Sequence, residues 1–387
     1  MPKKIIEITV NILNNCDQFV GEPLFLAGTF NNWDTDHLLV GTIPEKGQTI
    51  QCLLPEVPSG ELELKITRGN WQTLEATQNG KLKSPQVFKV QRDSEINLEI
   101  ESWRDLFPKS TASKQVHTLD EYFYFPDLNV YRKVMIYLPQ DYFQTDKHYP
   151  TIYMHDGQHL FDEARSIGRS GPVEWMVDEL LDEIDSSTIV VAIDHAKNYE
   201  LRQQEYLVHP VQGTKNPLGW LYLEDIVHTL KPFVDSNYRT LSDPWNTAML
   251  GSSIAGLLTL YAGLKYPEVF GTAAVFSPSI WMDESNLYSY SENMLKKGTD
   301  RAEQEIYFYM GDRERRFRLM DSHNNMKIDL DRYFNWIKDS FPGKLTLHIN
   351  PEGKHGAYYW QKAFEEFYLH WKSRINSIHK ISNYEHN

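Results

Sequence analysis

Two rhythms of apolar positions divide the chain. From residue 1 to about 104, short runs alternate apolar and polar residues or cluster β-branched ones: KIIEITVNI, PLFLAGTF, QTIQCLLPEV, LELKITRG, QVFKV and EINLEIES, with turn-rich stretches between them. A period of two sends every second side chain to the same face, as in a half-buried strand. Such a succession over about 100 residues predicts a small all-β, immunoglobulin-like sandwich. Residues 105–117, with proline and small polar residues, read as a linker. From 118 the rhythm changes. RKVMIYLP, PTIYMHDG, TIVVAIDH, NTAMLGSS, GTAAVFSP, EIYFYMGD and KLTLHINP are apolar strand candidates, and amphipathic stretches such as VEWMVDELLDEI and YLEDIVHTLKPFVDSNY separate many of them. Strands alternating with helices predict an α/β domain over 118–380, with a mainly parallel sheet covered on both faces. Residues 381–387 read as a frayed tail.

Composition narrows the partners. Of 387 residues, 41% are hydrophobic and 24% charged, and the net charge of −14 argues against nucleic acid or an anionic membrane surface as the main partner. Cys16 and Cys52 are too few for a disulfide scaffold and lack metal-site spacing, so free thiols in a reducing compartment are expected. The start, MPKKIIEITVNILNN, is broken by Glu7, Thr9 and Asn11 and does not read as a signal peptide. No apolar run reaches the roughly 20 residues of a membrane span. The expectation is a cytoplasmic protein.

The stretch AMLGSSIAGLLTLY carries the candidate chemistry. Gly251-Ser252-Ser253-Ile254-Ala255 fits G-x-S-x-G except that Ala255 replaces the final glycine. It stands between an apolar strand candidate and a helical run, where a tight strand-turn-helix would present Ser253 as a nucleophile; Ser252 is its rival. A serine hydroxyl needs a neighbouring general base. His355, in NPEGKHGAYYW, follows a strand and a turn and is the candidate. An acid that orients the imidazole should precede it, and IYFYMGDRERR offers both Asp312 and Glu314. Two backbone N–H groups should stabilise an oxyanion: that of Ile254, after the nucleophile, and that of Gln158, in YMHDGQHLFD, where Gly157 permits close approach. His155, Asp156, His159 and Asp162 also lie together and raise a metal reading, but they lack the H-E-x-x-H pattern; neither metal nor cofactor is expected.

With YMHDGQHLF, EWMVDELL, RQQEYLVHP, LGSSIAG, YPEVFGTAAVFSPSIW, MGDRE and GKHGAYYW in this order, residues 118–375 resemble the putative-esterase family of α/β hydrolases, which includes enterochelin esterases, feruloyl esterases and mycolyltransferases. The resemblance implies an α/β-hydrolase sandwich and a serine esterase. Its G-x-x-D/E register in GDRE selects Glu314 as the acid, with Asp312 in reserve, and supports Ser253, His355 and the Gln158 and Ile254 amides. It also implies that Arg202 and Glu205, in RQQEY, help shape the site. The segments 209–220 and 313–325 would border the pocket, and Arg313, Arg315, Arg316 and Arg318 would suit a carboxylate-bearing or catecholate substrate. LFLAGTFNNWD and LELKITRGNWQTLEATQNGK resemble a starch- or glycogen-binding module, which implies that Trp33, Lys65 and Trp71, with Asn79 near them, contact a glycan. The implied substrate is an acylated carbohydrate or a siderophore-type ester. Acyl transfer to an alcohol, or glycan binding without catalysis, are the other functions that such a chain could serve.

Overall fold

The computed structural model describes residues 5–168, 171–184, 187–211, 214–316 and 325–385. Two compact units emerge, Met1–Thr111 with Glu163–Val173, and Ala112–Asp162 with Glu174–Asn387. The division is discontinuous: an excursion from the α/β chain belongs with the N-terminal strands.

In the first unit, alternation along Ile5–Asn14 buries Ile6, Ile8, Val10 and Ile12. This strand pairs antiparallel with Thr49–Pro58 and parallel with Ser94–Ile100. A second, antiparallel sheet runs in the order Leu38–Thr42, Pro23–Gly28, Gly60–Thr67, Gln86–Val90. Leu24, Leu26, Leu62, Leu64 and Ile66 join Ile96, Leu98 and Trp103 in one apolar core. The strand Leu38–Thr42 has no side chain fully buried, so no alternation announced it. Cys16 and Cys52 are free thiols, and burial pushes the Cys52 thiol up to about 11.

The second unit is built on an eight-stranded sheet. Its strands are β1 (Val116–Phe125), β2 (Val130–Tyr137), β3 (Thr151–Met154), β4 (Ile189–Ile193), β5 (Thr247–Ser252), β6 (Thr272–Phe276), β7 (Glu305–Gly311) and β8 (Lys344–Asn350). They lie in the order β1-β2-β4-β3-β5-β6-β7-β8. The pairs β1/β2 and β2/β4 are antiparallel and the rest parallel. Strands β3 to β7 are buried along their whole length, which explains their unbroken apolar runs. Successive residues serve opposite faces. Tyr153 and Met249 pack with the helix Ile254–Lys265, whereas Ile152, Met154, Ala248 and Leu250 pack with Phe364, Phe367 and Trp371. Strand β1 went unread in the sequence because it is a largely exposed edge, with register shifts near Asp120. The last helix, Ala357–Glu385, extends past residue 380, where the tail was expected to begin. Among the described residues, no helix is long and apolar enough to cross a membrane.

Candidate active site

Strand β5 ends at Ser252 and the next helix begins at Ile254, leaving Ser253 alone at the junction with φ 60° and ψ −121°. A non-glycine residue in this region is strained and persists only where its surroundings enforce it. Here they do. The Ser253 N–H donates to the Phe276 carbonyl at 3.0 Å, and the Ser253 carbonyl accepts from Ser279 N–H at 3.0 Å. A Cβ on Gly251 would lie 2.5 Å from the Ala255 carbonyl oxygen, and one on Gly256 would lie 2.5 Å from that of Phe276. The crowding that demands glycine thus falls on Gly251 and Gly256, which is why Ala255 is tolerated. Ser252 remains within the strand and buried.

The Ser253 Oγ lies 2.9 Å from His355 Nε2, and His355 Nδ1 lies 2.6 Å from Glu314 Oε2. These residues are far apart in sequence, and two turns bring the last pair together. The turn after β7 and the turn after β8 pack backbone to backbone, with Gly311 so close to Gly353 that a Cβ on Gly311 would sit 2.4 Å from the Gly353 carbonyl carbon. Asp312 N–H donates to Asn350 and Arg313 N–H to Gly353, at 2.9 and 3.0 Å. Glu314 is fully buried, and its Oε1 accepts from Ser277 Oγ at 2.6 Å and from Gly311 N–H at 2.8 Å. With Nδ1–H donating to the carboxylate, Nε2 is left as the acceptor for the serine proton. The imidazole, 30% exposed, rests edge-on against Trp360 at 4.9 Å. Asp312, the reserve acid, is exposed and takes no place beside His355.

Gln158, expected to supply the second amide donor, sits on a loop after β3. Asp156 has φ 59° and caps a single helical turn, Gly157–His159; a Cβ on Gly157 would lie 2.8 Å from the backbone of Ala192 and Ile193. Gln158 is pinned by its Oε1, which accepts from His195 N–H at 3.1 Å. Burial works against the Asp156 charge, yet the Arg202 guanidinium overrides it and holds the carboxyl well below the usual carboxylate range. Ile254, on the other side, opens its helix, and the N–H groups of a first turn have no intrahelical acceptor.

Arg202 thus supports the loop that carries Gln158. Glu205 pairs instead with Arg132, and burial raises its carboxyl while Arg132 opposes the shift. Two of the four residues that raised the metal reading are engaged elsewhere. Asp156 commits both oxygens to Arg202 at 2.6 and 2.7 Å, and His155 faces the Tyr222 hydroxyl at 3.1 Å, with burial pushing its imidazole down to about 4. Among the described residues, three potential ligand atoms gather within 4.8 Å only at Glu174, Asp178 and Glu179.

The arginine segment is likewise committed. Arg313 pairs with Glu352, Arg315 donates to the Glu314 carbonyl at 2.9 Å, and Arg316 binds Asp329. Arg318 lies outside the described residues.

The glycan residues need correction. Trp33 and Lys65 are each only 4% exposed, so neither offers a ring or an ammonium to a sugar. Burial pushes the Lys65 ammonium down to about 8. Trp71 is half-buried with Gly171 on its ring: a Cβ there would lie 2.7 Å from the indole. Asn79 is exposed. The turn-adjacent tryptophan that suggested a binding platform is part of the packing.

Three side chains escaped the sequence reading. Ser279 Oγ lies 3.3 Å from Ser253 Oγ, and Ser277 and Trp360 are linked to Glu314. Serines after a strand and a tryptophan in a helix carry no local signal of such a role.

The family model for putative esterases matches residues 126–370. The chain belongs to the putative-esterase family. Membership makes it an ester hydrolase by family, with the α/β-hydrolase fold. YbbA, an uncharacterized protein of Bacillus subtilis (strain 168), is 27% identical over 240 residues, which cover 60% of this chain and 89% of that one. Among solved structures, the enterobactin esterase FES from Shigella flexneri has a TM-score of 0.51 at 16% identity, covering 89% of this chain and 87% of that one. The siderophore hydrolase EstB from Aspergillus nidulans also has a TM-score of 0.51, at 19% identity, covering 67% and 97%.

Proposed function

We propose that this esterase hydrolyses a carboxylic ester of the siderophore type through an acyl-enzyme on Ser253. The observation that carries the reading is the unbroken line from Ser253 Oγ through His355 to Glu314, at 2.9 and 2.6 Å. Ser253 Oγ attacks the ester carbonyl carbon as its proton passes to His355 Nε2. Glu314 keeps Nδ1–H oriented and stabilises the imidazolium that forms. The carbonyl oxygen becomes an oxyanion between the Gln158 and Ile254 N–H groups, a kind of stabilisation worth about 10²–10³ in rate per donor. His355 returns the proton to the departing alcohol. Water, deprotonated by the same Nε2, then attacks the acyl-enzyme carbonyl, and the acid leaves as Ser253 regains its proton.

The substrate class rests on two supports. The likeness to the enterobactin esterase covers 89% of this chain. The burial of Trp33 and Lys65 meanwhile weighs against a glycan ligand. The deciding experiment compares wild type and Ser253→Ala on a short aryl ester and on a catecholate trilactone, with folding checked by circular dichroism. Turnover by the wild type alone on both substrates supports the reading. Equal turnover by the two proteins removes Ser253 from the mechanism, and wild-type turnover of the aryl ester but not the trilactone rejects the substrate class.

A further inference from the structure

Beyond the three residues of that reading lies a second line of hydrogen bonds with a fixed direction. The Trp360 Nε1–H donates to Ser277 Oγ at 2.8 Å, and the Ser277 hydroxyl donates to Glu314 Oε1 at 2.6 Å. An indole N–H can only donate, and an ionised carboxylate can only accept. The hydroxyl between them has one proton, so its polarity is settled: it receives from Trp360 and gives to Glu314. With Oε1 also taking Gly311 N–H, Oε2 is left aimed at His355.

Backbone and packing point the same way. Ser277 follows β6 with φ 44°, a left-handed conformation that a side chain rarely adopts, and it is fully buried. Its N–H donates to the Tyr309 carbonyl at 2.7 Å. A residue held in such a conformation costs on the order of 1–3 kcal/mol and typically marks a constrained site. Trp360 touches both ends of the chemistry, since its ring also lies edge-on to His355 at 86°. Trp175 braces it at 5.7 Å and is itself stacked on Phe276, the last residue of β6.

We infer that Trp360 and Ser277 form a one-way relay that locks the Glu314 carboxylate against His355, making both of them positioning residues for ester hydrolysis. The inference rests on the catalytic reading of Ser253, His355 and Glu314. The dependence runs one way: Trp360 acts on the acid through Ser277, so removing the Ser277 hydroxyl also removes the benefit of the Trp360 N–H.

The test uses the full chain with Trp360→Phe, which keeps a ring against His355 but loses the N–H, together with Ser277→Ala and the double variant. Each single change is expected to lower kcat on an aryl ester by roughly tenfold, the rate equivalent of one lost hydrogen bond, with KM nearly unchanged. The double variant should be no slower than Ser277→Ala alone. Multiplying defects, or single variants with wild-type kcat, would overturn the relay. A second readout needs no turnover: the far-downfield proton NMR signal of His355 Nδ1–H should move and broaden in both single variants. If Ser253→Ala kept its activity, the catalytic reading would fall, and this signal would still decide the relay; an unmoved signal refutes it. Trp360→Phe guards against a folding failure in Ser277→Ala, since it leaves the buried hydroxyl paired with Glu314.

Discussion

Arg202 grips Asp156 through two parallel hydrogen bonds, Nε to Oδ1 at 2.6 Å and Nη2 to Oδ2 at 2.7 Å. The pair fixes a residue with φ 59° next to Gly157 and Gln158, and so sets where the loop amide points. Arg202→Lys keeps the charge but not the fork. We expect kcat to fall about tenfold or more, as small misplacements of a catalytic group do, with KM less affected. Arg202→Met leaves a buried carboxylate unpaired and should cost about 3–5 kcal/mol in urea unfolding at pH 7. Because the folded-state pKa of Asp156 is depressed, the pair's contribution is fully present above the unfolded value near 3.9 and is lost as pH falls through the folded value. With Arg202 gone, burial dominates at Asp156 and raises its carboxyl, so the gap between wild type and Arg202→Met should narrow as pH falls from 7, and further as it falls through the wild-type folded value.

Glu314 and Asp312 stand two residues apart, yet only Glu314 reaches His355. Glu314→Gln should lower kcat by about 10³–10⁴, in the manner of a triad that has lost its anionic acid. Asp312→Asn should leave kcat within about twofold, since surface changes away from such contacts have small effects. Steady-state kinetics on an aryl ester separates the two. Comparable losses in both would disprove the assignment.

The junction around Ser253 makes an unequal demand on two neighbouring residues. Gly256→Ala drives a methyl into the Phe276 carbonyl, to which Ser253 N–H is bonded, so the strand and the helix must part. We expect a cost of about 1–3 kcal/mol or more from overpacking, together with a large loss of kcat. Ala255→Gly restores the commoner motif and should cost only about 1 kcal/mol of helix propensity with activity kept. Thermal melts paired with kinetics would show whether the order is reversed.

Asp178 is fully buried, its Oδ2 accepting from Ser113 N–H at 2.7 Å, while Oδ1 has no hydrogen-bond partner among the described residues. Burial, reinforced by the Glu179 charge, pushes its carboxyl up to about 7. An acid whose pKa rises on folding binds its proton more tightly in the native state, so stability should decline as pH rises from about 4 to about 7 and level off above. Asp178→Asn removes the ionisation and keeps an acceptor for Ser113. At pH 8 it should stabilise the protein by on the order of 2 kcal/mol, and by much less at pH 4. Denaturant titrations at the two pH values would refute this by giving the same difference at both.

How much of this was legible beforehand depends on the range of the interaction. The alternating runs of the first hundred residues and the unbroken runs of β3 to β7 record burial on one face or on two, and burial is written into consecutive side chains. Strand β1 buries only Phe123 and Phe125, and the strand Leu38–Thr42 buries no side chain fully, so neither left such a record. The serine junction could be read because its requirements are local: small residues crowd a turn within six positions. Trp33 was misleading for a related reason. A tryptophan in a turn-rich segment looks the same in sequence whether its ring meets a sugar or the interior, and burial decided for the interior.

By itself, then, the amino-acid sequence determined most of the buried strands, the order of the two kinds of domain, and the candidates Ser253 and His355, with the acid narrowed to Asp312 or Glu314, since each follows from neighbours along the chain. The tertiary structure alone decided that Glu314 rather than Asp312 faces His355, that Arg202 binds Asp156 while Glu205 pairs with Arg132, and that Ser277 and Trp360 stand behind the acid. Those choices depend on turns from separate strands meeting within hydrogen-bond distance. Such meetings are set by how the sheet stacks its strand ends, which no short stretch of sequence contains.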